Sequence, residues 1–423
     1  MEKEDSPPKE AARWSGGSWQ RLMWAMVGIQ FTMTLSFTIL SPIMPLFLPD
    51  LGVKDAALID LWAGILNGAT PFVAAFASPL WGRLADQYGR KQALIRASLA
   101  IGVFTIGMGL SQNVWQFFGA RLLMGAFAGF SAASIALVAS QVPESRLGYA
   151  LGWLSTGQLV GGLVGPVLGG GIADLTGSYR VPFFATAAFT FLALGLVALF
   201  VHEQFTRPKG AARKLGILAA LRALGRSRGL LALFVVLLLA QFAVRTVQPV
   251  VTLFVQELSG DNTAAVATLA GVAFSVTGVA DVLASPFLGK RSDVIGYRRV
   301  LLISLMGAAL MTLPQAFAHS FWTFVAERFG VGCFIGGILP TANALVGRQV
   351  PRGQRGTVYG MTASATFLGN SLGPITGGGI AAAVSIRFVF VVTAALLAIT
   401  WFWVYRRVDE YCETGKLAEA PAE

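Results

Sequence analysis

The sequence is poor in charge. Only 13% of its 423 residues are Asp, Glu, Lys or Arg, against roughly 25% in soluble globular chains, while 55% are hydrophobic. Such a chain cannot cover a water-facing surface, which excludes the two or three soluble domains that its length would allow. Cysteine is nearly absent. Cys333 lies in an apolar run and Cys412 in the tail, so no disulfide framework or thiolate metal site follows. The two histidines, His202 and His319, stand apart with no nucleophile beside them, and no phosphate-cradling glycine loop occurs. The residues therefore predict no enzyme, no ATP-driven pump, no cofactor and no metal. A cleavable leader is not expected either, because the first apolar run is long enough to remain as an anchor.

What the chain has is apolar length. A bilayer takes about 20 residues of helix, and uncharged or nearly uncharged runs predict twelve spans. These are 22–48, 57–81, 92–111, 115–140, 147–172, 181–201, 229–257, 264–289, 299–317, 321–347, 355–381 and 386–405. The chain divides accordingly into a tail (1–21), six spans (22–201), a basic linker (202–228), six more spans (229–405) and a second tail (406–423). Pro42 and Pro45 predict a kink at the outer end of the first span. In the linker, Leu215, Leu218, Leu221 and Leu224 among basic residues suit a helix lying on the membrane surface.

The net charge of +11 could suggest a nucleic-acid partner, but its distribution argues otherwise. Lys54, Arg180 and Arg387 fall in the opposite loops, and Arg121, Arg245 and Arg328 within spans. All other Lys and Arg fall on the side of the two termini, the positive-inside bias. The expectation is a bacterial inner-membrane protein with both termini cytoplasmic, partnered by lipid and not by nucleic acid.

The chain is also duplicated. SPLWGRLADQYGRKQAL at 78–94 returns as SPFLGKRSDVIGYRRVL at 285–301, and offsets of 207 or 208 align further segments. Trp115 to Arg121 match Trp322 to Arg328, Gln141 to Pro143 match Gln349 to Pro351, and Arg180 matches Arg387. Two six-span halves in the same orientation predict an all-α membrane protein with a pseudo-two-fold axis along the membrane normal and a central path.

Three motifs sharpen this reading. In the first, Gly82, Asp86, Gly89, Arg90 and Lys91 join the second and third spans, with Gly289, Asp293 and Gly296 as the repeat and Tyr297 in place of Arg90. In the second, Gly161, Gly165, Pro166, Gly169 and Gly170 leave one face of the fifth span bare for close packing, echoed by Gly373 and Pro374 in the eleventh. The third is Arg121, inside the fourth span with Arg328 as its counterpart and Glu327 as a neighbouring acid; snorkelling to the interface is its alternative reading.

These motifs resemble those of the major facilitator superfamily, in particular its twelve-helix drug:proton antiporter branch; Met124 stands where that family's fourth-helix motif has Gln. The resemblance implies a monomeric secondary transporter exporting amphipathic drugs against protons by alternating access. It makes the first motif and its copy latches, with Asp86 docking on the eleventh span near residues 355–357 and Glu144 as an acid for Arg90. A proton-coupled carrier of a sugar or organic anion is the alternative.

Proton coupling needs a desolvated carboxylate. Asp281, in the eighth span, is the acid deep in a helix, and Arg245 is the basic residue deep in the seventh. Their first-half counterparts are Thr38 and Ala74. At 1.5 Å per residue their depths differ by roughly 12 Å, so either a proton site tuned by Arg245 or a static charge pair fits. The resemblance implies a path lined by Phe31, Thr34, Phe37, Met124, Phe127, Gln241, Gln248, Phe334 and Asn343, with Asn67, Gln158 and Asn370 adding to it.

Overall fold

The computed structural model describes residues 18–203, 228–260, 265–349 and 355–408. The linker leucines and both tails lie outside them. Among the described residues there are helices and no strands, forming twelve successive spans. In the first half these are α1 (Ser18–Ile39, then Ile43–Phe47), α2 (Ala56–Tyr88), α3 (Arg90–Leu110), α4 (Val114–Ala126, then Phe130–Gln141), α5 (Leu147–Thr176) and α6 (Val181–Phe200). In the second half they are α7 (Arg228–Thr246, then Gln248–Ser259), α8 (Val266–Ile295), α9 (Tyr297–Thr312), α10 (Phe321–Ile335, then Ile338–Gln349), α11 (Arg355–Ala383) and α12 (Ile386–Arg407). Eleven are long and apolar enough to cross a bilayer; α11 has the length, 29 residues, but is richer in glycine and polar side chains. The chain is a multi-pass membrane protein.

Local chemistry explains the interruptions. Residues 40–42 form a turn within α1, where Pro42 and Pro45 withdraw two backbone donors. The duplicated segment at 78–94, expected to be a loop, is mostly helix. Arg, Leu, Ala and Gln are good helix formers, so α2 runs on to Tyr88 and the chain turns only at Gly89, at φ +99°. α8 likewise runs to Ile295 and turns at Gly296, at φ +97°. A side chain would be strained at both positions.

The duplication is visible in three dimensions. Phe47, Phe117 and Phe183 form a buried aromatic cluster with ring centroids 5.2–5.9 Å apart. Phe254, Phe324 and Phe390, each 207 residues later, form its counterpart at 5.0–5.8 Å. Arg180 donates from Nη1 to the carbonyls of Gly109 and Ser111, and Arg387 does the same for Ala316 and Ala318. These two basic residues close the ends of α3 and of the segment following α9. Arg387 also pairs with Glu257 at 3.0 Å.

Within each half the glycine-rich helix packs on the first. Gly157, Gly161, Gly165 and Gly169 of α5 recur every four residues, on one helical face. A Cβ on any of them would come within 3 Å of a backbone carbonyl of α1: Val27, Phe31, Leu35 and Ile39 in turn. Gly369, Gly373 and Gly377 of α11 meet Leu238, Phe242 and Thr246 of α7 in the same way.

The same helices join the halves, and among the described residues their close glycine contacts lie towards the end of the bundle away from the chain termini. There Gly64 and Gly68 of α2 lie against Ser371, Pro374 and Gly378 of α11, and Gly170 and Gly271 bring α5 and α8 together. The Thr268 amide donates to Asp174 at 2.7 Å, and Ser275 Oγ to the Leu163 carbonyl at 2.6 Å. The core of the first half takes in Leu253, Val266 and Ala267 of the second at this distal end. Towards the terminal end, Gly82, Gly148, Gly152 and Gly289 have nothing within 4 Å of where a Cβ would stand. Among the described residues, the close glycine contacts that seal the two halves together are distal.

A side chain at Gly170 or Gly378 would strike backbone of the other half, a repacking that costs on the order of 1–3 kcal/mol. Gly170→Val and Gly378→Val are expected to open the distal seal. A cysteine at position 275, with Cys333 and Cys412 removed, should then label with an impermeant maleimide roughly tenfold faster; an unchanged rate would mean the seal rests elsewhere.

Candidate functional site

The distal seal forms the floor of a cavity of about 320 Å³ bounded mainly by the second half. α7 contributes Gln241, Arg245 and Gln248, α8 Phe274, Thr277, Gly278 and Asp281, and α10 Arg328, Val331, Ile335 and Leu339. Thr312 and Gln315 and, from α12, Thr393 line its inner wall, while Thr38, Ser41, Gly162 and Pro166 of α1 and α5 face it across the interface. Its wall is apolar with a few fixed polar groups, the usual constitution of a small-molecule site.

Arg245 and Asp281 share this cavity without pairing. Arg245 donates from Nε to Asn370 Oδ1 and from Nη1 to Gln248 Oε1, both at 3.1 Å. Asp281 Oδ1 accepts from Ser285 Oγ at 2.9 Å, one turn further along α8. Arg328 projects into the same space and its buried Nε has no hydrogen-bond partner. Glu327 is not its counter-ion: adjacent residues on a helix point about 100° apart, and the buried Glu327 Oε2 has no partner. Gln315 Oε1 and Thr393 Oγ1 at the inner wall are likewise unpartnered. Two guanidiniums and one carboxylate make the lining net positive.

The first-half counterpart is differently employed. Arg121 is 8% exposed and donates from Nε to the Leu66 carbonyl of α2 at 3.0 Å. It braces two helices and does not reach the interface by snorkelling.

Of the remaining expected path residues, Gln241, Gln248 and Asn370 meet at Arg245, as described. Phe31 and Thr34 lie on the α1 face against Gly161, and Phe37 is 43% exposed. Met124 is in the first-half core, and Phe127 packs on Trp81 and Phe104. Phe334 fills the space over Gly307. Asn67 donates to the Ala63 carbonyl. Gln158 and Asn343 are exposed. Asp60, 9% exposed at the distal seal beside Gly378, was not singled out from sequence because it stands only five residues into α2.

The residues of the first motif and of its copy lie at the terminal ends of α2, α3, α8 and α9. The side chains of Asp86, Glu144 and 355–357 fall outside the described residues. The start of α3 is held by Glu203, which follows α6. Its carboxylate accepts from the Arg90 and Lys91 amides at 2.9 and 2.7 Å, where the helix dipole favours an anion. Lys91 Nζ donates to the Ala198 carbonyl. In the second copy Asp293 accepts from the Tyr297 hydroxyl one turn on. Gly82 and Gly289 have nothing within 4 Å of where a Cβ would stand.

A family model described as Major Facilitator Superfamily matches residues 26–280 and 261–421. The chain belongs to the major facilitator superfamily. It is a secondary transporter, and the twelve-span duplicated fold is that family's fold. The multidrug resistance protein MdtG of Salmonella dublin is 37% identical over 362 residues, covering 86% of this chain and 89% of that one. The protein of the same name from Enterobacter lignolyticus is also 37% identical, covering 86% of both. Among solved structures, the nucleoside transporter NupG superposes with a TM-score of 0.75 at 14% identity, covering 91% of this chain and 98% of its own. An inward-facing, unoccupied bacterial homologue of the human lysosomal transporter Spinster gives 0.73 at 16%, covering 93% and 98%.

Removing the Arg245 guanidinium would leave Gln248 and Asn370 without their donor inside the membrane, a loss of on the order of 1–3 kcal/mol. Arg245→Ala is expected to lower the thermal midpoint in detergent, and Arg245→Lys to fall between it and the parent. An Ala variant as stable as the parent would remove Arg245 from the cavity's support.

Proposed function

We propose that this transporter exports amphipathic small molecules, drugs among them, across a bacterial inner membrane in exchange for protons. The observation that carries the proposal is Asp281, the one carboxylate among the described lining residues of the cavity. It faces a space that holds two guanidiniums. The MdtG relatives are named for multidrug resistance. The glycine face of α5 packs against both α1 and α8, so one helix serves the first half and the seal together.

In this reading both termini are cytoplasmic, as the basic loops on their side favour, and the sealed face is the outer one. The protein works as a monomer, each half moving as a unit about the cavity. Arg245 and Arg328 draw an anionic or zwitterionic amphiphile, and apolar contacts with Phe274, Val331 and Ile335 hold the rest of it. Asp281 takes a proton at the outer face and releases it at the inner one. The motif at Gly82, Asp86, Gly89, Arg90 and Lys91 then engages α11 to latch the cytoplasmic side when the cavity faces out. The copy at Gly289, Asp293 and Gly296 engages α5.

Asp281→Asn is the decisive variant. Proton-driven efflux from proteoliposomes should fall at least about tenfold, whereas substrate exchange without a proton gradient should persist. Proton-driven efflux at the parent rate would remove Asp281 from coupling. Asp86→Asn should insert normally and lose most of its transport; full activity would remove the latch.

A further inference from the structure

α10 is broken between Ile335 and Ile338, and the break leaves a carbonyl with a problem. The Gly336 oxygen would accept from the amide of residue 340 in a continuous helix, but Pro340 has no N–H. The adjacent Gly337 oxygen is served by the Thr341 amide and hydroxyl. The Gly336 oxygen is served from another helix: Ser285 Oγ of α8 lies 2.9 Å from it. The same hydroxyl lies 2.9 Å from Asp281 Oδ1. Gly336 makes this approach possible, since a Cβ there would stand within 3 Å of Ser285 Oγ and of the Asp281 carboxylate.

A hydroxyl has one proton, and here it faces two acceptors. With Asp281 ionised, the carboxylate is the stronger acceptor and draws the Ser285 proton, leaving the Gly336 carbonyl without a donor. With Asp281 protonated, its O–H donates to Ser285 Oγ, and the Ser285 O–H is free to donate to the Gly336 carbonyl. The two arrangements differ by the one proton that Asp281 binds or releases, and only the second satisfies the break.

We propose that Ser285 is a positioning residue through which the protonation of Asp281 sets the stability of the break in α10, and with it the balance between the two faces of the transporter. This rests on Asp281 carrying the proton. The charged groups facing Asp281 are Arg245 from α7 and Arg328 from α10; the residues that α1, α5, α9 and α12 contribute to the cavity carry no titratable side chain. Neither arginine bonds to Ser285, so they bias the Asp281 proton without replacing the relay.

The first half lacks such a relay. The break in α4 is held by Trp81 Nε1, which donates to the Ala126 carbonyl at 2.6 Å beneath the Arg96 guanidinium, 3.2 Å from the ring centroid. An indole N–H has no second acceptor competing for it there, and the position equivalent to Asp281 is Ala74. Only the second-half break among the two is tied to a group that changes its protonation.

The test is the distance across the terminal face as a function of pH. Spin labels at cysteines replacing the exposed Tyr149 of α5 and Val294 of α8, with Cys333 and Cys412 removed, report it in the full-length chain in nanodiscs. The parent is expected to lose the open form as pH rises, its open-to-closed ratio falling roughly tenfold, the worth of about one hydrogen bond. Asp281→Asn should abolish the response. Ser285→Ala should reduce it to less than about twofold, and Ser285→Thr, which keeps the hydroxyl, should restore it. Should the Ala variant fail to insert, Ser285→Cys, whose thiol is a weak donor, is expected to show the same loss. A parental response in the Ser285 variants, with none in Asp281→Asn, overturns the relay and leaves Asp281 as the proton site. A parental response in Asp281→Asn overturns both.

Discussion

Close approach of helix backbones at glycine is the constraint on which the rest of this structure depends. Inside a bilayer there is no hydrophobic force to press helices together, so contact area and polar satisfaction must do it. α5 presents glycines on one face to α1 and on another to α8, and α11 does the same towards α7 and α2. Each is shared between the interior of its half and the seam between halves. Any motion that opens the seam must therefore slide along a surface almost free of side chains, which keeps two packings of the seam close in energy.

The halves are copies in backbone and divergent in charge. Aromatic clusters and arginine caps recur with the same partners 207 residues apart, because they close helix ends that both halves need closed. The cavity charges do not recur. Thr38 and Ala74 stand where the second half has Arg245 and Asp281, and Arg121 braces a neighbouring helix while its counterpart Arg328 enters the cavity. The second half thus supplies the charged lining of the cavity, and the first supplies part of the opposing wall. Duplication provided two equivalent frames, and charge substitution in one of them made the two halves unequal.

Most of the architecture could be read from the residues. The span count followed from apolar length and the duplication from the repeat offset, while the α1 break followed from its prolines. The duplicated motif was legible as a motif but not as a helix, since polarity marked it as loop while its good helix formers continue α2 to Gly89. Glu203 escaped notice because it closes α3 from 112 residues away. Path residues were the hardest to place: which face of a membrane helix points inward depends on rotation, and lipid-facing and cavity-facing aromatics have the same composition.

Hydropathy, glycine spacing and proline are local properties, and by themselves they determined the twelve spans, the two-fold plan and the break in α1. The meeting of Arg245, Asp281 and Arg328 in one cavity without a mutual pair was decided only in three dimensions. So were the distal seal and the contact between Ser285 and the Gly336 carbonyl. Each of these turns on the rotation and tilt of helices from distant parts of the chain, where a shift of about an ångström makes or breaks a hydrogen bond, and no one-dimensional pattern encodes so fine a difference.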